Sequence, residues 1–174
     1  MKAILIIDHG SVRDEANRML ECVGTLVQAM AGPTVLVRVA HMELAAPSIA
    51  EGFAACVEGG ATDVIAFPYM LSPGKHSTRD IPRMVSEAAA RYPGVRFRVT
   101  SAFGVSDKLA EVILERADVA VACPAPAGEC GCTRPAGAPH DYCGAGCRAR
   151  GDDATTPELT RVSADADREG DERR

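Results

Sequence analysis

The apolar positions change period along the chain, and those changes mark out its elements. Ala3–Ile7 is an unbroken apolar run rich in Ile, the pattern of a strand covered on both faces. Ala16, Met19, Leu20, Val23, Leu26, Val27 and Met30 then recur at spacings of three and four, which is one face of a helix. Ser11 with Asp14 resembles a capping box that has Asp in the place of Glu, and Gly32-Pro33 stops the helix. Val35–Val39 reads as a second strand. Pro47 opens a second helix with Ile49, Phe53, Cys56 and Val57 on one face, closed by Gly59-Gly60. Val64–Phe67 reads as a third strand. Ile81, Met84, Val85, Ala88 and Ala89 mark a third helix, started by Asp80 and Pro82. Val95, Phe97 and Val99 alternate with Arg96 and Arg98, so a fourth strand is expected at a sheet edge with one wetter face. Leu109, Val112 and Ile113 give a last helix. The alternation predicts an α/β fold: an open, mostly parallel four-stranded sheet with helices on both faces.

Composition divides the 174 residues unevenly. Residues 1–122 read as the globular domain. Residues 123–150 hold five Cys among repeated Pro and Gly, with almost no large apolar side chain. Residues 151–174 are charged and polar without a periodic face, and read as a disordered tail. An apolar content of 47% is enough for a real core, whereas 4% aromatics and no Trp leave little for stacking bases or sugars. A net charge of −5 argues against a nucleic-acid binder. No apolar run approaches the roughly 20 residues that cross a bilayer. Asp8 interrupts the apolar start too early for a signal peptide. A cytoplasmic protein without membrane or nucleic-acid partners is expected, its seven Cys serving as thiols or metal ligands.

In open parallel sheets ligands bind beyond the carboxyl ends of the strands. The first strand ends in Asp8-His9-Gly10-Ser11 and the second in His41-Met42-Glu43; the third leads into Tyr69-Met70 and on to Gly74-Lys75-His76-Ser77-Thr78-Arg79-Asp80. Three of the four His and one Glu therefore gather on one edge. Neutral imidazole binds first-row divalent metals and accepts protons near neutral pH. Phosphate chemistry fits less well. The first loop carries Asp14 and Glu15, the Arg that precedes the His of histidine phosphatases is here Asp8, and Gly74-Lys75 lacks the first glycine of a P-loop.

Asp8-His9-Gly10-Ser11 with Glu15-Ala16-Asn17, then Met42 through Ile49, then Phe67-Pro68 and Gly74 through Pro82, together resemble the small sirohydrochlorin chelatases of the CbiX/SirB type. The resemblance covers residues 1 to about 120 and rests on several motifs in order. It implies a lyase of the class II chelatase superfamily that inserts cobalt, iron or nickel into a sirohydrochlorin-type tetrapyrrole, in cobalamin or sirohaem synthesis. Larger relatives hold two such halves, so a chain of one half implies a homodimer with the site between subunits. By position, His9 and His76 match the metal-handling His, and Glu43 matches a proton-relaying acid. Insertion requires two pyrrole N–H protons to leave, which imidazole and carboxylate can accept. The tetrapyrrole's carboxylates call for cations at the rim. Arg13, Lys75, Arg79 and Arg83 are candidates, as solvated helix-start charges are too. Ser11, Ser77 and Tyr69 are further candidate contacts; the two Ser equally suit helix caps, and Tyr69 and Met70 equally suit core packing. His41 reads either as a third ligand or as a structural residue. The rival reading is a non-catalytic metal or tetrapyrrole carrier using the same His, with a histidine-type phosphatase weaker still.

Cys22 and Cys56 lie on predicted apolar helix faces and read as inert core residues. Cys123, Cys130, Cys132, Cys143 and Cys147 cluster near His140. Cys130, Cys132, Cys143 and Cys147 can serve an iron–sulfur cluster, which the resemblance favours, or zinc, or a metal-capturing or redox-sensitive tail. Every chelatase motif precedes residue 83, so this segment is expected to be dispensable for the basic reaction.

Overall fold

The computed structural model describes residues 1–121, within which lie all the strands and helices expected above. Cys130, Cys132, Cys143 and Cys147, with the segments 123–150 and 151–174, lie outside the described residues. The order is β1 (Lys2–Asp8), α1 (Asp14–Ala31), β2 (Val35–His41), α2 (Ile49–Glu58), β3 (Asp63–Pro68), α3 (Ile81–Ala89), β4 (Arg96–Val99) and α4 (Asp107–Arg116). All strands are parallel, in the spatial order β2-β1-β3-β4.

The unbroken apolar run of β1 serves two cores. Ala3, Leu5 and Ile7 face α2 and α3, joining Phe53, Ile81 and Val85 in the larger cluster. Ile4 and Ile6 face α1, beside Leu20 and Val37. Phe53 is fully buried, stacked 5.9 Å from Tyr92 and edge-on at 6.4 Å to Phe97. β4 lies at the sheet edge with Arg96 and Arg98 exposed, as its alternation predicts.

Three local expectations are corrected. The buried side of α1 is not centred on the predicted stripe: Leu20 and Gly24 are buried, while Met19, Leu26 and Met30 are exposed. Gly24 explains the turn of the helix, since a Cβ there would meet Val39 Cγ1 at 2.6 Å. The same rotation leaves Cys22 exposed, so it is not a core residue, whereas Cys56 is buried. Ser11 forms no capping box. Helix α1 has Arg13 at its N-cap without a side-chain cap bond, and the box sits instead on α2, between Ser48 and Glu51. Those Ser48 hydrogen bonds hold the Glu51 carboxyl below its ordinary range. Helix α3 starts as expected, with Asp80 at its N-cap and Pro82 in its first turn, and a π-helical turn, His76–Asp80, precedes it. Pro82 has no N–H to give Thr78 and its ring crowds the preceding turn, which favours the widened register.

Helix α4 forms where Leu109, Val112 and Ile113 place it, but none of its residues is buried among the described residues.

Candidate functional site

The strand order creates the site. From β1 the chain moves to β2 on one side, then crosses to β3 on the other, so the carboxyl ends of β1 and β3 flank the point where the order reverses. His9 leaves β1 there, and the loop after β3 brings His76 to it. Their ring centroids lie 5.3 Å apart, edge to face.

Backbone pairing continues past the strand ends and carries Glu43 in. Met42 N–H donates to Asp8 O at 2.9 Å and Glu43 N–H to His9 O at 3.1 Å. Glu43 Oε1 then lies 2.8 Å from His9 Nε2, with both side chains about half exposed (53% and 45%). His9 Nδ1 lies 3.2 Å from Gly10 O. Both His9 nitrogens thus face acceptors, and a proton or a cation is the natural occupant between His9 and Glu43.

Gly10 makes this approach feasible. It sits at φ +83°, and a Cβ would fall 1.9 Å from Glu43 O. Asp8 Oδ1 accepts the Gly10 N–H at 2.9 Å and also faces His41 Nδ1 at 2.6 Å. His41 is fully buried, and its Nε2 has no partner among the described residues. It is thus enclosed, unlike the half-exposed His9 and His76. Asp8 and His41 are register partners across β1 and β2, a pairing without any sequence signal.

His76 is held from the other side. Its Nδ1 lies 3.0 Å from Asp80 Oδ2, and Arg79 Nε lies 3.4 Å from Asp80 Oδ1. Desolvation by itself would raise the Asp80 pKa. The hydrogen bonds from His76 and Arg79 and the charges of Lys75 and Arg79 outweigh it and keep the carboxyl below its usual range. Asp80 is a site residue that sequence reasoning used only as a helix start, although the four-residue spacing of His76 and Asp80 was in view.

The other candidates scatter. Ser11 is held by Asn17, whose Oδ1 takes its N–H at 2.9 Å, and its own Oγ accepts from Arg13 N–H. Ser77 is buried with its hydroxyl bonded to Gly74 backbone, inside the loop. Tyr69 packs 5.0 Å from Phe103 on the α1 side, and Met70 packs on the other core. Arg83 pairs with Glu87 at 2.6 Å. Arg13, Lys75 and Arg79 remain exposed at the edge. Around the His pair each of the four edge loops also exposes an apolar side chain: Val12, Leu44, Leu71 and Val105. Among the described residues no three His, Cys, Asp or Glu form a ready metal cage. No described helix is long and apolar enough to cross a membrane.

The CbiX family model matches residues 3–120. A sirohydrochlorin ferrochelatase of Arabidopsis thaliana, chloroplastic, is 40% identical over 113 residues, 65% of this chain and 50% of that protein. A sirohydrochlorin cobaltochelatase of Priestia megaterium is 34% identical over 116 residues, 67% of this chain and 37% of that one. Among solved structures, SirB from Bacillus subtilis with Fe3+ superposes with a TM-score of 0.61 at 30% identity, covering 66% of this chain and 45% of that chain. The SirB of Bacillus subtilis subspecies spizizenii in complex with cobalt gives 0.63 at 29%, covering 67% and 50%. The chain thus spans half or less of the length of these relatives.

Proposed function

The chain belongs to the CbiX family, and from that premise we propose that it inserts a divalent metal, cobalt or iron, into sirohydrochlorin. The carrying observation is the cluster of His9, Glu43 and His76 at the reversal point of the sheet. The metal is a substrate here, with nickel the third candidate. His76 and His9 hold it while it sheds water, and Glu43, 2.8 Å from His9, passes the two pyrrole protons that the metal displaces to solvent, one after the other. Neither a nucleophile nor a redox cofactor is needed. The product would feed cobalamin or sirohaem synthesis.

The working unit in this reading is a homodimer. One copy offers a single wall with half-exposed ligands and an apolar rim, whereas a tetrapyrrole pocket buries most of its ligand. A two-fold partner would cover the rim and supply the second wall. The cytoplasm is the expected setting, and Cys130, Cys132, Cys143 and Cys147 are the ligands proposed for an iron–sulfur cluster.

The deciding experiment is an anaerobic absorbance assay of insertion into sirohydrochlorin with Co2+, Fe2+ and Ni2+ in turn. His9→Ala and His76→Ala should each abolish turnover while leaving the fold intact. Glu43→Gln should slow insertion yet retain tetrapyrrole binding. Stoichiometric binding without turnover for all three metals would replace the chelatase reading with that of a carrier.

A further inference from the structure

We propose that Asp80 is a positioning residue that locks the His76 ring in the tautomer whose Nε2 is open to the incoming metal. This rests on the reading of His76 as metal-handling. Near neutral pH a carboxylate can only accept, so the 3.0 Å contact requires the His76 proton to sit on Nδ1. In a neutral ring that leaves the Nε2 lone pair free, and among the described residues this nitrogen has no partner. His9 differs, since its Nε2 already faces Glu43. The two imidazoles are therefore not equivalent: His76 is poised to receive a cation first, and His9 is coupled to the acid.

Asp80 is turned toward the His76 ring, not toward the helix it precedes. It makes no cap hydrogen bond, although it occupies the N-cap position of α3. Its two oxygens reach sideways instead, to His76 and Arg79. Asp80 is shielded where His76 is open, 19% against 47% exposed, so the acid lies beneath the ring. That is the layout by which an outer carboxylate orients a metal-binding imidazole and raises its basicity. The π-helical turn creates the contact. Ile81 N–H bonds back to His76 O, and the widened turn holds residues 76 and 80 on one side.

The test reads tautomer and metal use separately on the full chain. Long-range proton–nitrogen correlation spectra of the imidazoles, at a pH where the rings are neutral, should show His76 in the Nδ1–H form; His76→Ala assigns the signal. Asp80→Asn should mix the tautomers, because an amide can donate as well as accept. It should also raise the KM for Co2+ about 10–100-fold, with the KM for tetrapyrrole unchanged and the melting point nearly so. Asp80→Glu should restore part of the effect. A wild-type His76 in the Nε2–H form would overturn the proposal. So would an Asp80→Asn protein with either its tautomer or its Co2+ KM unchanged. Should wild-type protein insert no metal, the functional reading fails, whereas the tautomer assignment stands or falls on the spectra alone.

Discussion

Gly10→Ala concentrates the consequences of this geometry in one methyl group. The new Cβ would sit 1.9 Å from Glu43 O, and 3.1 Å from both Glu43 C and His41 Cβ. Real contacts do not fall below 3.0 Å, so the backbone at Glu43 must retreat by about 1 Å. The left-handed φ of +83° adds about 1–2 kcal/mol for an L-residue. Retreat also stretches the Glu43 N–H bond to His9 O, worth about 1 kcal/mol. The total is about 3 kcal/mol, which for a domain of this size lowers the melting point by about 10 °C. Because Glu43 and His9 separate, insertion should fall about 100-fold even at temperatures where the variant is folded. Scanning calorimetry measures the first effect, and the absorbance assay at 15–20 °C below the variant's own midpoint measures the second. Gly94→Ala is the control, since a Cβ there meets nothing within 4 Å and φ is unremarkable. A Gly10→Ala protein that melts within about 2 °C of wild type and turns over normally would refute the close approach of the two loops.

Phe53→Ala removes a fully buried ring stacked on Tyr92 and edge-on to Phe97 and should cost about 3–5 kcal/mol, read from urea midpoints; a loss below about 1.5 would mean that the larger core is not organised around it. Burial pushes the Cys56 thiol from its ordinary 9.0 up to about 11, against a smaller opposing effect of Arg38. The folded protein therefore keeps that proton to higher pH than the unfolded chain. The associated stability is complete below pH 9 and declines toward pH 11 by about 2–3 kcal/mol, a slope that Cys56→Ala should lack. Light scattering should give the mass of a dimer, and a stable, active monomer would contradict the two-walled site. Anaerobically purified protein should contain iron and sulfide, and lose both on replacement of Cys130, Cys132, Cys143 or Cys147; zinc in their place would redirect the assignment.

What the sequence determined was the identity and order of the elements. A run such as Ala3–Ile7 can only be satisfied by covering both faces, and Phe97 and Val99 alternating with Arg96 and Arg98 only by covering one. His9, Glu43 and His76 were likewise legible, because each follows a strand and ligands gather at that edge. Tertiary structure decided what each face meets. The stripe on α1 says which residues can be inside, but Gly24 against Val39 sets which are, leaving Met19, Leu26 and Cys22 outside. No local pattern encodes the register that seats buried His41 on Asp8, since the partners are 33 residues apart and meet only when β1 pairs with β2. The same holds for the reversal of strand order that brings His76 to His9 across 67 positions of sequence. Periodicity reports how one segment divides between water and core, whereas contacts between segments arise from the competition among all of them for the same interior.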